Sequence, residues 1–233
     1  MYKRQIDIIV TPFVTICVGV LLSLGCAPAI GAAASTVGTA IMWATELQPF
    51  FMGIIVSVIV GIALTLPISS AAICAALSLT GLAGGAAVAG CCAQMVGFAV
   101  MSFKENKWGG LFAQGIGTSM LQMGNIVRNP RIWLPPTLAS AITGPVATCI
   151  FHLKMNGAAV ASGMGTCGLV GQIGVYTGWV NDIAEGTKAA ITGMDWAGLV
   201  LICFILPAVL SWAIAIPMRK CGWIKENDLK LDL

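Results

Sequence analysis

The sequence predicts an all-α fold, a polytopic integral membrane helix bundle with glycine-rich re-entrant hairpins, and three observations predict it. Hydrophobic residues fill 58% of the 233 positions and charged residues only 9%, with a mean hydropathy of +0.94. A soluble domain carries about 25% charge to wet its surface. No charged residue occurs from Ile8 to Thr45, nor from Leu47 to Phe103, and each stretch exceeds the roughly 20 apolar residues that cross a bilayer. Glycine and proline interrupt several of the apolar runs, which points to broken segments rather than a plain bundle of straight helices. Soluble enzyme classes are excluded.

The elements follow from charges and prolines. Segment 6–25 is long enough to span, Pro28 follows it, and the small-residue segment 29–45 ends at Glu46. Gln48-Pro49 breaks the chain before a clear span at 50–66, and Pro67 breaks it again. Segment 68–85 is rich in Ala, Ser and Gly and ends in Gly81-Leu-Ala-Gly-Gly85; the span 86–103 follows and closes at Lys104-Glu-Asn-Lys107. Segment 109–127 is only moderately apolar. Segment 132–153 spans, interrupted by Pro135-Pro136 and Pro145. Segment 157–179 is the most glycine-rich, and the acidic loop 182–195 follows it. The last span is 196–217, and a charged tail covers 219–233. The first five residues, Met-Tyr-Lys-Arg-Gln, match sequencing-adapter read-through; they are set aside as non-native, and the chain is expected to be truncated at its N-terminus. The membrane domain is then 6–218.

Lys and Arg bias in short loops sets orientation. Arg219, Lys220, Lys225 and Lys230 place the tail in the cytoplasm, and the acidic loop, whose one basic residue is Lys188, lies outside. Lys104, Lys107, Arg128 and Arg131 go inside. If 132–153 then runs outward, 157–179 starts and ends outside. A re-entrant hairpin solves that count, since non-helical backbone at membrane depth is tolerated when protein encloses it; the alternative is a crossing with Arg128 and Arg131 outside. The same logic extends to 68–85 and 109–127. Glycine-interrupted segments in two parts of a chain are the sequence pointer to a transporter site. Gly115-Ile-Gly-Thr-Ser-Met-Leu121 and Gly163-Met-Gly-Thr-Cys-Gly-Leu169 share the pattern G-x-G-T-x-x-L.

Other motifs narrow the function. Gly163-Met-Gly-Thr-Cys-Gly168 fits the dinucleotide fingerprint formally, but that fingerprint needs a βαβ unit, so it is rejected. No Walker pattern occurs, no basic patch suggests nucleic acid, and no cofactor or metal is expected. The nine cysteines lack a CxxC or a histidine cluster and read as small hydrophobes. The small-xxx-small pairs Gly81/Gly85, Gly115/Ser119 and Gly174/Gly178 allow close helix approach, either for packing or as a solute-facing backbone. His152, the sole histidine, reads as an interfacial polar tip. Glu46 is either a solvated loop residue or a substrate or proton site, because an intramembrane acid is a functional hypothesis by default. Gln122, Asn125 and Asn129 fall at i, i+3 and i+7, one helical face, and lead into Arg128. Such an amide stripe suits a hydroxylated or anionic solute; equally, it is an interfacial helix end with Arg128 and Arg131 anchored in headgroups.

The run Gly115-Ile-Gly-Thr-Ser-Met-Leu-Gln-Met-Gly-Asn-Ile-Val-Arg-Asn-Pro-Arg-Ile-Trp-Leu-Pro-Pro136, followed by 137–150 and the glycine-rich 162–179, strongly resembles the EIIC-like membrane family of the phosphotransferase system (PTS), in its toxin-regulator branch. The resemblance extends from about residue 6 to the Lys-Leu-Asp-Leu terminus. It implies a bacterial inner-membrane sugar permease that works with separate IIA and IIB proteins in phosphoenolpyruvate-dependent uptake, forms a homodimer and moves a hairpin-bearing substrate domain. The Asn-Glu-Pro tripeptide of the sugar-specific families is absent, so no sugar-contacting Glu is carried over.

The resulting expectation is a IIC-like permease that translocates a small hydroxylated solute, a sugar or polyol, inward. The expected solute contacts are Gln122, Asn125, Arg128 and Asn129 from one broken segment and Ser162, Thr166 and Gln172 from the other, with Glu46 as a further candidate. Two alternatives stand beside it: a secondary transporter without phosphorylation, coupled through Glu46, and a membrane regulator or sensor.

Overall fold

The computed structural model describes residues 2–231, with the side chains of 2–9, 22–27 and 30 excepted; the residues read as non-native, 1–5, therefore lie outside the described side chains. The regular secondary structure of the described residues is all helical apart from one isolated bridge between Gly81 and Met155. Two helical stretches are long and apolar enough to cross a membrane by length and composition, Gly81–Met101 and Gly193–Lys220.

Helix α1 (Tyr2–Leu47) runs through Pro12 and Pro28 without ending. This corrects the expected division at Pro28. A proline removes one intrahelical hydrogen bond and kinks a helix, but the neighbouring turns on both sides still propagate. α2 (Pro49–Thr65) starts on its proline, where the missing N–H is needed least, and matches the expected span within a residue.

After Pro67 comes the short α3 (Ser70–Ala76), capped by Ser69 Oγ, which accepts from the Ala72 N–H at 3.1 Å. The next helix, α4 (Gly81–Met101), begins at the glycine cluster that the sequence had placed at the end of the preceding segment. The reason is packing. A Cβ on Gly85 would strike the Leu153 carbonyl, and one on Gly90 would strike the Ser57 carbonyl, so these glycines let neighbouring backbones approach α4.

α4 is the axis of the molecule, nearly all of it buried, and it contributes to all three apolar clusters. Val88, Ala89 and Cys92 pack with Leu153, Val175, Trp179 and Ile202. Ala83, Ala87, Cys91 and Met95 meet Val56, Val60 and Leu79. Phe98 and Met101 meet Ile126, Ile132, Ile224 and Leu229.

Beyond α4 the chain breaks repeatedly. α5 (Phe103–Phe112) is followed by a π-turn (Ala113–Gly117), an extended Thr118, a 3-10 turn (Ser119–Gln122) and α6 (Met123–Arg128). A second 3-10 turn (Pro130–Trp133) leads into α7 (Leu134–Pro145), so Pro135-Pro136 start this helix rather than interrupt it. A π-turn (Val146–Ile150) prolongs α7. Then come α8 (Ala159–Ser162), a 3-10 turn (Cys167–Leu169) and α9 (Val170–Ala184). Finally α10 (Gly193–Val200), a π-turn (Leu201–Ile205) and α11 (Leu206–Lys220) form one long helix, opened by a reciprocal Thr192–Asp195 cap.

The two ends of α4, about 30 Å apart by helical rise, carry different loops. At the Gly81 end lie Met155 and the acidic loop; at the Met101 end, Arg219 donates to the Met101 carbonyl at 2.9 Å, and the tail folds back with Ile224 and Leu229 buried. The charged tail is thus packed on the bundle, because two of its few apolar residues fall where Phe98 and Met101 leave a hydrophobic floor.

Candidate functional site

Two chain reversals approach the middle of α4 from opposite ends. Segment 109–128 leaves the Met101 end and rises until Ser119 Oγ meets Thr65 Oγ1 at 2.9 Å, beside Gln94. It then descends to the tail, where Asn125 and Asn129 bind main-chain carbonyls. Segment 156–178 leaves the Gly81 end and turns where Gly165 lies against Cys91 and Thr166 Oγ1 meets Met95 Sδ at 3.5 Å. It comes back so that Gly178 lies against Asn156 and Gly174 against Ala161. The second reversal requires backbone with positive φ at Gly165 and Gly168, both +53°, and at Leu169, +60°. Glycine reaches that region without steric cost; Leu169 does not, and a non-glycine residue held there marks a constrained site.

The π-turn Ala113–Gly117 packs against the turn Cys167–Leu169, so the two G-x-G-T-x-x-L stretches meet beside α4. Linked to the first of these segments through Thr65 and Ser119 is a polar network centred on Gln94, fully buried in an apolar helix. Its Oε1 accepts from Trp133 Nε1 at 3.0 Å and from Thr65 Oγ1 at 3.4 Å, and its Nε2 donates to Thr137 Oγ1 at 3.3 Å. Burying an amide costs several kcal/mol unless it is hydrogen-bonded, and here every polar atom of Gln94 has a partner. Four elements are joined by one side chain.

Sequence reasoning missed Gln94, Thr65, Ser119, Thr137 and Trp133 as a group. The available signal was that Gln94 is the lone amide in the uncharged run from Leu47 to Phe103 apart from Gln48 at its edge. An isolated polar residue gives no periodicity, and its partners are spread over four elements.

The residues singled out from the sequence fall into two separate groups. Gln122 is fully buried; its Nε2 donates to Gln114 Oε1 at 2.9 Å and to the Leu229 carbonyl at 3.0 Å. Asn125 Nδ2 donates to Gln122 Oε1 at 2.8 Å and to the Lys230 carbonyl at 2.9 Å. Asn129 Nδ2 donates to Asp228 Oδ2 at 2.7 Å and to the Trp223 carbonyl at 2.9 Å. The amide stripe therefore grips the C-terminal tail. Arg128 is exposed beside it, and the Arg131 guanidinium lies over Trp223 at 5.5 Å.

In the other group, Ser162 Oγ donates to the Leu79 carbonyl at 2.6 Å. Gln172 is oriented with its amide nitrogen toward the carbonyls of Gly165 and Leu169, at 3.2 and 3.3 Å, which ties the turn to α9. Ser162 thus holds the glycine-rich reversal to the loop before α4 and Thr166 holds it to α4, while Gln172 braces the turn from within. No hydrogen bond joins this group to Gln122, Asn125 or Asn129 among the described residues. Glu46 is exposed at the end of α1.

The acidic loop borders a separate cleft of about 510 Å³ lined by His152, Lys154, Asn156, Trp179, Asp182 and Glu185, among others. Its polar groups are largely paired with one another. Asn156 Nδ2 donates to both oxygens of Asp182, at 2.9 and 3.0 Å, and Lys188 pairs with Asp195 at 2.7 Å. No group of three or more His, Cys, Asp or Glu side chains that could hold a metal ion occurs among the described residues.

Comparison with known proteins agrees with this architecture. No curated protein and no solved structure matches the chain significantly. A family model does: the one described as "Phosphotransferase system, EIIC" matches residues 1–231. The chain therefore belongs to the phosphotransferase system EIIC family, the membrane permease component of that system.

Proposed function

We propose that this chain recognises a small hydroxylated solute, a sugar or polyol, where its two broken segments meet, and carries it inward while a separate IIB-type protein delivers the phosphoryl group. The observation that carries this reading is the junction itself. The Ala113–Gly117 and Cys167–Leu169 turns pack together, Ser119 in the first segment meets Thr65, and the amide and hydroxyls of Gln94, Thr65, Ser119 and Thr137 lie within one network. An amide both donates and accepts, so these groups match a polyol, and their present bonds to one another stand in for those to the solute. Irregular backbone at membrane depth belongs to cavity-lining segments. On this reading 109–128 and 156–178 are re-entrant hairpins in a multi-pass domain over 6–218.

Each residue group then has a role. Thr166 and Gln172 shape the outer hairpin tip, and Ser162 anchors its stem. Gln122, Asn125 and Asn129 tie the inner hairpin to the tail, so that solute binding at Ser119 is felt at residues 223–231. Exposed Arg128 meets the phosphoryl group of the partner. Basic residues collect at the Met101 end of α4, which favours the cytoplasmic side of a bacterial inner membrane for that end and for the C-terminus. Glu46, exposed at the outer face, stays the coupling residue of the secondary-transport alternative. A homodimer is the expected assembly.

The test is a thermal-shift panel on the purified chain with neutral sugars, polyols and small carboxylates. A ligand at 100 times its Kd adds about 2.7 kcal/mol to the folded state. A selective shift with a neutral sugar or polyol, lost in Gln94→Leu but retained in Glu46→Gln, is expected. A shift with carboxylates alone, or uptake in vesicles that persists without phosphoenolpyruvate and collapses with an uncoupler, overturns it.

A further inference from the structure

At the Met101 end a cleft of about 620 Å³ opens between the end of α4, α5 and α11. Its composition is divided. The wall is apolar, with Val100, Phe103, Leu111, Trp212 and Ile216; among the described residues the charged side chains that line it are Lys104, Lys107 and Arg219, with no carboxylate. Glu105 sits beneath the Arg219 guanidinium, its side chain 5% exposed, and holds that cation in place at 2.8 Å. Lys104 reaches outward to Glu226 across an exposed pair, a type worth little in water, so it is free to turn inward. Lys107 has no ion-pair partner among the described residues.

Two further features point the same way. Lys107 adopts φ 52°, ψ −148°, a conformation that breaks α5 in two, and a non-glycine residue held there stores strain that the surroundings must balance. Around the break, Trp108 and Phe112 are stacked with ring centroids 6.3 Å apart and are 65% and 57% exposed, while Trp212 on the other wall is 56% exposed. Exposed indole and phenyl rings beside basic side chains are the composition of a membrane–water interface, and basic pockets between helices on the cytoplasmic side take anionic headgroups.

From this charge complementarity we infer that the cleft binds an anionic phospholipid. Its phosphodiester sits among Lys104, Lys107 and Arg219, and its acyl chains lie along Phe103, Leu111, Trp212 and Ile216. Because Arg219 closes α11 immediately before the tail, the lipid also steadies the helix from which residues 223–231 depart. The inference goes beyond solute transport and stands independently of where the solute binds.

The experiment titrates the purified full chain, in neutral detergent, with phosphatidylglycerol, phosphatidylcholine or inorganic phosphate, and follows Tm. Phosphatidylglycerol alone should raise Tm, and the effect should weaken with salt. Each lysine near an anionic surface contributes enough for roughly a fivefold change in affinity. Lys104→Gln with Lys107→Gln should therefore raise the half-saturating lipid concentration by about tenfold or more, and the matching Arg pair should restore it. Lys220→Gln, outside the cleft, should titrate as the parent does. If the double Gln variant does not fold, Lys107→Gln alone should weaken binding by about fivefold. Equal shifts with phosphatidylcholine, the same shift with phosphate alone, or an unchanged titration in the Gln variants overturns the proposal. Loss of sugar response in Gln94→Leu leaves these titrations unaffected, so the two readings fail separately.

Discussion

Gln122, buried in the broken segment after α5, donates its side-chain amide to the main-chain carbonyl of Leu229, 107 positions further along the chain, at 3.0 Å. The same nitrogen donates to Gln114 Oε1, and Gln114 in turn donates to Ser102 Oγ at 2.7 Å. A relay of amides thus connects the end of α4 to the C-terminal tail. The tail is therefore tied to the broken segment 109–128.

Gln122→Leu should loosen the tail. It leaves Gln114 Oε1 without a partner, while the Leu229 carbonyl keeps Asn106 Nδ2 and Asn125 Nδ2 keeps the Lys230 carbonyl; a buried unsatisfied group costs about 1–3 kcal/mol. A loss of about 1–3 kcal/mol of stability is expected, seen as a lower Tm and faster proteolysis between residues 221 and 231. A tail as protease-resistant as the parent's would contradict the relay.

Gln94 and Trp133 should be energetically coupled. The Trp133 Nε1–Gln94 Oε1 bond at 3.0 Å joins α4 to the turn before α7. In a double-mutant cycle with Gln94→Leu and Trp133→Phe, a coupling of about 1 kcal/mol is expected. Additive effects would show that the bond contributes nothing to the packing of these helices.

The turn at Gly165 should not tolerate a side chain. Its φ is +53°, and a Cβ would lie 2.6 Å from Cys91 Cβ. Gly165→Ala combines left-handed strain with overpacking and should cost about 2–4 kcal/mol. Gly109→Ala, where nothing lies within 4 Å, should cost nothing measurable or stabilise α5. Comparing the two Tm values separates conformational need from mere glycine abundance.

Acid should weaken the outer attachment of the tail. Lys104 holds the Glu226 carboxyl below its ordinary value, first by its hydrogen bond and then by its charge, with Arg219 adding to the effect. A lowered folded-state pKa means that the contact contributes fully above the unfolded value, near 4.5, and is lost as pH falls through the folded one. Both groups are exposed, so the effect is small and screened by salt. A carboxyl-carbon NMR titration should show the Glu226 midpoint rising toward its ordinary value in Lys104→Gln; an unmoved midpoint would remove Lys104 as the cause.

The sequence alone predicted the helical class, the apolar helices at 50–66 and 196–217 and the breaks at Pro49 and Pro67. Long uncharged runs, proline at helix starts and glycine clusters act locally, so they can be read one residue at a time. It also singled out Gln122, Asn125 and Asn129 as a set, because three amides on one face form a pattern. What faces them was not legible: the tail carries no signal that Leu229 and Ile224 would be buried on Phe98 and Met101. The folded molecule alone reveals that Gly81 opens α4, that helix α1 passes Pro28, and that Gln94 gathers Thr65, Trp133 and Thr137 around it. One cause underlies all three. Backbone approach and buried hydrogen bonds depend on partners distant in sequence, and a lone amide in an apolar helix reveals its purpose only when those partners close around it.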